Sequence, residues 1–246
     1  MATDARLHLW IPEQEIDNVD KTPTSRSNQY DVQYGNHGKK LSQGLQDVVD
    51  FFRHLQSSNL LDEQDLITFR VILQDKEDFA FQKDFIENEG LKINAVKDRT
   101  HAIVSAPRDV FGNLQGRVTR YKNNGIKKDF QYIQGFEPFT AEDKKAASIL
   151  RYVKENPEAV SVDVQVMLLP DMTPDMQQRA EDNITARIRQ KNGVLQNDPY
   201  KLTDGTSIIR ASMSPSSVDE IAEDPRVYWV EKTIFFTASS QAMFPP

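Results

Sequence analysis

Two stretches of the chain largely alternate between apolar residues and polar or small ones, the pattern of a strand with one buried face. The alternating residues are Ile67, Phe69, Val71 and Leu73 in the first stretch and Val162, Val164, Val166 and Leu168 in the second. Each stretch is followed by a helical pattern, two further strands, a second helix and a last strand. The sequence therefore predicts the order β-α-β-β-α-β twice, over residues 65–137 and 161–236.

This repeated order predicts an α+β protein of two tandem ferredoxin-like βαββαβ units joined by a helix. The predicted domains are residues 65–139 and 160–236, with a linker helix in 140–159 and a C-terminal tail in 237–246. In such a unit two helices cover one face of an antiparallel sheet. We therefore expect the other face of each sheet to be open for a partner.

Residues 1–64 are predicted to be an N-terminal extension with one amphipathic helix, residues 41–56. Apolar residues at alternating four- and three-residue steps place one stripe on that helix. The residues of the stripe are Leu41, Leu45, Val48, Phe52 and Leu55. We expect the stripe to dock on the domain that follows, and the alternative is that it binds a separate partner.

Composition and charge exclude several classes of partner. The 246 residues include 30 basic and 37 acidic side chains, a net charge of −7 that argues against general binding to nucleic acid or anionic membranes. The longest apolar run, residues 166–169, is far shorter than the ~20 residues of a membrane-spanning helix. The third strands carry no stacking aromatics, which argues against an RNA-recognition fold. Neither nucleic acid nor a membrane is expected as a partner.

The residue types that carry most chemistry are scarce. The chain has no cysteine and its N-terminus has no secretory signal, so we predict a cytoplasmic protein. Its four histidines are scattered without ligand spacing, and no metal or cofactor is expected. Residues 204–207, Asp-Gly-Thr-Ser, include the start of a subtilisin-like nucleophile motif, but Ile208 and Ile209 continue as a strand and no matching Asp or His motif exists. The chain is predicted not to be an enzyme and to contain no catalytic residue.

Residues 218–231 carry a short motif, VDEIAEDPRVYWVE, in which a helix is followed by an Asp-Pro turn and a strand. This motif resembles the end of the inhibitor-I9 type prodomain of subtilisin-like (S8 family) serine proteases. Residues 91–96 and 102–107 resemble the N-terminal region of large bacterial subtilases that are paired with AAA ATPases, and His37-Gly38 fits the start of that region. Together the similarity covers most of residues 37–236.

The resemblance implies a non-catalytic N-terminal region that acts as intramolecular inhibitor and folding chaperone of a serine endopeptidase. The implied partners are the subtilisin-like catalytic domain, in cis or after cleavage, and an AAA ATPase. The alternative is a regulatory or scaffolding tandem ferredoxin-like module that binds a small ligand or a protein.

In the prodomain interpretation, the open sheet face of the second domain docks on the protease and the tail lies in the substrate cleft. The expected contacts are Gln165, Met167, Ile208, Arg210, Tyr228 and Val230 on the sheet and Ala242, Met243 and Phe244 in the tail. The faces of residues 227–230 depend on register, because a one-residue slip inverts them.

Overall fold

The computed structural model describes residues 33–58, 66–74, 86–96, 100–126, 128–170 and 172–233. These residues form two antiparallel sheets with helices packed against them, so the predicted α+β class is confirmed. Residues 33–246 form one compact unit, which contains both sheets. Residues 1–32 of the predicted extension and the predicted tail lie outside the described residues.

The first sheet and its helices are called the first lobe. Its elements are α1 (Tyr34–Ser57), β1 (Ile67–Leu73), β2 (Lys92–Val96), β3 (His101–Ala106), α2 (Arg108–Asn124), the 3-10 helix Lys128–Tyr132 and β4 (Ile133–Pro138). The strand order is β2-β3-β1-β4, with every neighbouring pair antiparallel. Val71 lies opposite Ala102 on one side and Phe136 on the other, and all three are buried in the core of this lobe.

Helix α1 belongs to the core of the first lobe. All five residues of its predicted stripe are buried in the same cluster as Phe69 and Val71, which confirms that the helix docks on the domain that follows. Helix and sheet approach closely, since a Cβ atom on Gly44 would lie 2.4 Å from the carbonyl oxygen of Phe136. The helix starts earlier than the predicted residue 41. Residues 34–40 are mostly polar and lack apolar periodicity, so the pattern did not reveal this first part.

His37 fixes the start of α1 to the rest of the first lobe. Its Nε2 lies 2.8 Å from the carbonyl oxygen of Ile133, which only accepts, so Nε2 carries the proton. Its Nδ1 then accepts a hydrogen bond from the Tyr121 hydroxyl at 2.9 Å. This arrangement requires the neutral ring, and burial lowers the pKa of His37 below 6.5.

We expect this histidine to make the first lobe sensitive to mild acid. Between the lowered folded pKa and the value of 6.5 in the unfolded chain, the unfolded chain binds more protons. The free energy of unfolding should therefore fall as the pH drops below 6.5. Urea unfolding of the wild type and of His37→Gln across this range measures the effect. Equal pH dependence in the two proteins would contradict it.

The second sheet and its helices are called the second lobe. Its elements are α3 (Ala141–Lys144), α4 (Ala147–Glu155), β5 (Val162–Leu168), α5 (Pro174–Gln190), β6 (Val194–Leu195), β7 (Tyr200–Lys201), β8 (Ser207–Met213), α6 (Pro215–Ala222) and β9 (Val227–Lys232). The strand order is β6-β8-β5-β9, and β7 also pairs with β8. The alternating valines of β5 face a core shared with α5 and α6.

The connection between the lobes differs from the predicted single helix. It breaks between α3 and α4, where Lys145 pairs with Val230 of β9 and the Ala146 N–H donates to the Val230 carbonyl at 2.8 Å. Ile149 of α4 is buried in the core of the second lobe. The backbone groups that the helix gives up are thus used at the edge of the second sheet, and the connection is part of the second lobe.

Candidate functional site

The face of the second sheet turned away from α5 and α6 carries two rows of side chains across three strands. In one row Gln165 lies between Arg210 of β8 and Glu231 of β9. In the next row Met167 lies between Ile208 and Trp229. Because directly opposed residues share a face of the sheet, these six side chains form one surface.

One of the predicted contact residues lies on the other face. Val230 is opposite Val166 and fully buried in the helix-covered core, so its predicted outward position is wrong. Val227 pairs with Leu168 and Trp229 pairs with Met167, which leaves Tyr228 as an extra residue in β9. This bulge shifts the alternation of the strand. Ala242, Met243 and Phe244 lie outside the described residues.

A cavity of about 340 Å³, the inter-sheet cavity, lies against this surface. Its lining residues come from both sheets and from the connection between them: Ala95, Val96, Ile103, Asp143, Met167, Tyr228, Trp229 and Glu231. Ile103 pairs with Arg70 and Ala95 on the helix-free face of the first sheet. The helix-free faces of the two sheets therefore face each other across the cavity.

The helix-free face of the second sheet is thus only partly open, since most of its six residues are partly exposed and Ile208 is buried. Ile103 and Ile208 point away from the helices of their own lobes, yet they are only 4% and 3% exposed. Both sheets carry apolar residues on their helix-free faces, and removing these residues from water favours the closed arrangement. Tyr228 is also partly enclosed, and burial raises the pKa of its hydroxyl above 10.

An ion-pair network holds the connection beside the first sheet. The Arg70 guanidinium contacts the carboxylates of Glu137 at 2.5 Å and Asp143 at 2.6 Å. The Asp143 carboxylate also accepts hydrogen bonds from the backbone N–H and the hydroxyl of Thr140, at the start of α3. Asp143 was not among the predicted site residues, because its role depends on a contact with a strand far away in sequence.

A second cavity, of about 230 Å³, lies beside the row formed by Gln165, Arg210 and Glu231. It is called the polar cavity. It is lined by Ser148, Gln165, Arg210, Glu231, Lys232 and Thr233. Gln165 donates a hydrogen bond to Glu231. The two cations lie over aromatic rings: the Arg210 guanidinium is 5.2 Å from the ring centre of Tyr200, and the Lys232 ammonium is 4.3 Å from that of Tyr152.

The Asp-Pro turn of residues 218–231 is organised around a buried carboxylate. The fully buried side chain of Asp224 accepts hydrogen bonds from Arg187 at 2.8 Å and from Arg226 at 2.9 and 2.8 Å. The Asp224 carbonyl accepts one from the Lys144 ammonium at 2.7 Å. Burial lowers the pKa of Lys144 to about 8, although the nearby Asp224 carboxylate opposes this shift. The cluster ties α5 and the connection to the turn.

Ser207 lies in β8 and is fully buried, which confirms the interpretation of its surroundings as a strand. In the part of the chain that the structure describes, no group of three His, Asp or Glu side chains is placed to hold a metal ion. None of the described helices combines the length and the apolar character needed to cross a membrane.

The sequence was also compared with models of known protein families and with curated proteins. Neither comparison found a match. A function for the chain is therefore inferred from the geometry of its two lobes and from the motif in residues 218–231.

Proposed function

We propose that this chain is the non-catalytic N-terminal region of a subtilisin-like serine protease, acting as its intramolecular inhibitor and folding chaperone. The observation that carries the proposal is the order β6-β8-β5-β9 of the second sheet, with β9 as an outer strand. The first sheet has the equivalent order β2-β3-β1-β4, which supports two tandem ferredoxin-like units. Thr233, the last described residue, thus directly follows an outer strand of the second sheet.

The motif supports the same proposal. Residues 218–231 run through α6, the turn around Asp224 and the strand β9, in the order that the prodomain resemblance implies. The buried carboxylate of Asp224 gives the Asp-Pro part of the motif a structural reason, since it orders the turn that leads into β9.

In this proposal the residues after β9 act as the inhibitory segment. An extended tail, residues 237–246, would lie in the substrate cleft and pair with its edge by strand addition. While tail and protease belong to one chain, the effective concentration is on the order of mM, so even weak docking inhibits. Preferential binding to the folded catalytic domain also favours its folding. We place this action in the cytoplasm, with an AAA ATPase as a further partner.

The helix-free face of the second sheet offers fewer residues for contact with a protease than the sequence predicted. Gln165 and Arg210 are partly exposed at the polar cavity and are the sheet residues best placed to contact a protease. Met167 and Tyr228 line the inter-sheet cavity. A protease that used these two residues would have to displace the first lobe.

The test begins with the coding sequence after Pro246, where Asp, His and Ser motifs of a subtilisin-like protease should follow in that order. The catalytic domain made from it is then assayed with the full chain and with a variant that ends at Thr233. We expect inhibition by the full chain, weakened on the order of tenfold or more without the tail. An Arg189→Gln chain is the control, because Arg189 is exposed on α5. Full protease activity at large excess of the chain would overturn the proposal.

The inter-sheet cavity favours a second candidate function, a regulatory module that binds a small ligand. Its volume of about 340 Å³ lies within the range of ~300–1,000 Å³ typical of ligand sites. Its lining is mostly apolar and includes the acidic residues Asp143 and Glu231. A stop codon after Pro246, together with a small ligand that changes Trp229 fluorescence in a Trp10→Phe background, would favour this function.

A further inference from the structure

We propose that the polar cavity is a binding site for a small oxyanion, such as inorganic phosphate or a simple carboxylate. The site is distinct from the inter-sheet cavity, although both include Glu231. The inference does not depend on a protease partner, because it rests only on the groups that line the cavity.

The strand register brings these groups together. Arg210, Gln165 and Glu231 lie in one row across β8, β5 and β9. Thr233 follows directly after β9, and its backbone N–H donates to the Asp163 carbonyl at 2.9 Å. Ser148 reaches the same cavity from α4, which the buried Ile149 holds against the second lobe.

The two cationic residues of the cavity have no carboxylate partner in the part of the chain that the structure describes. None of the described acidic side chains forms an ion pair with Arg210 or Lys232; both lie over aromatic rings instead. The Nε atom of Arg210 is buried and has no hydrogen-bond partner among the described residues. Both cationic residues line the same cavity, and a guanidinium and an ammonium favour an acceptor with negative charge.

Thr233 provides an independent sign of a missing acceptor or donor. The residue is only 8% exposed, and its hydroxyl has no hydrogen-bond partner among the described residues. Leaving a buried polar group unpaired is unfavourable, and a bound oxyanion would accept a hydrogen bond from the hydroxyl.

Charge and size restrict the ligand further. Glu231 is the carboxylate in the lining, and one of its oxygens accepts the hydrogen bond of Gln165. Two cations against one carboxylate leave the lining positive, in a chain whose net charge is −7. The volume of about 230 Å³ is below that of typical drug-sized sites, so we expect an anion of few atoms.

Titration calorimetry of the full chain with sodium phosphate and with sodium acetate, at constant ionic strength, tests the site. We expect saturable binding of at least one anion at one site per chain. Arg210→Gln and Lys232→Gln should weaken it about tenfold or more, since each removes a charged hydrogen-bond donor. Arg189→Gln, which removes an exposed arginine of the same lobe, should leave it unchanged. Binding of phosphate alone indicates a tetrahedral ligand, and binding of acetate alone a planar one.

A Thr233→Val variant gives a second measurement that does not depend on the charged variants folding well. Without anion, the variant should unfold at a higher temperature than the wild type, because an unpaired buried hydroxyl is replaced by a methyl group. With phosphate or acetate, its midpoint should rise less than that of the wild type. No saturable binding of either anion, or equal weakening by Arg189→Gln and Arg210→Gln, would overturn the proposal.

Discussion

Replacing Asp224 by alanine should lower the free energy of unfolding of the second lobe by about 3–5 kcal/mol. The side chain is fully buried and binds Arg187 and Arg226, while Lys144 binds its carbonyl. Without the carboxylate, two guanidinium groups and a buried ammonium lose their compensating charge. The penalty arises mainly from removing this negative charge from beside buried cations, which is why it exceeds that of losing an exposed ion pair.

Urea unfolding followed by Trp229 fluorescence in a Trp10→Phe background measures this loss, since Trp229 lies in β9 beside the turn. Asp198→Ala is the matched control, because Asp198 is exposed in the loop between β6 and β7. We expect the control to change the free energy of unfolding by less than about 0.5 kcal/mol. A loss at Asp224 as small as that of the control would show that the turn does not depend on the carboxylate.

Replacing Leu45 by alanine should lower the free energy of unfolding of the first lobe by about 2–5 kcal/mol. Leu45 is only 1% exposed, in the core that α1 shares with β1 and β4. The truncation removes buried apolar surface and leaves a cavity. The closeness of Gly44 to the Phe136 backbone limits how far the helix can move to fill it.

Circular dichroism during urea unfolding checks this second prediction. Gln46→Ala is the control: Gln46 is the next residue of α1, its side chain is exposed, and it bonds only within the helix. We expect the control to stay within about 0.5 kcal/mol of the wild type. If Leu45→Ala matched the control, α1 would not be part of the folded core of the first lobe.

Local patterns were sufficient to predict much of the fold. The alternation in β1 and β5 identified the buried face of each sheet, because a strand with helices on one side needs apolar residues at every second position. The stripe of α1 was predicted for the same kind of reason, with the period of a helix. These signals depend on neighbours along the chain.

The site was less predictable, because its geometry depends on contacts between distant segments. The bulge at Tyr228 turned Val230 toward the core, and no local pattern marks which residue of β9 is the extra one. The break at Lys145 depends on an unsatisfied edge of β9 that only the folded sheet provides. Asp143 reaches the site only through Arg70 of β1.

The sequence by itself determined the main strands and helices and the face of β1 and β5 that the helices cover. The tertiary structure decided that the two remaining faces would lie opposite each other and line one cavity. Apolar periodicity predicts which surface of a strand or helix will be buried, but it does not predict which other surface will cover it. Tertiary contacts determine the covering surface, here the burial of Ile103 and Ile208 and the ion pairs of Arg70.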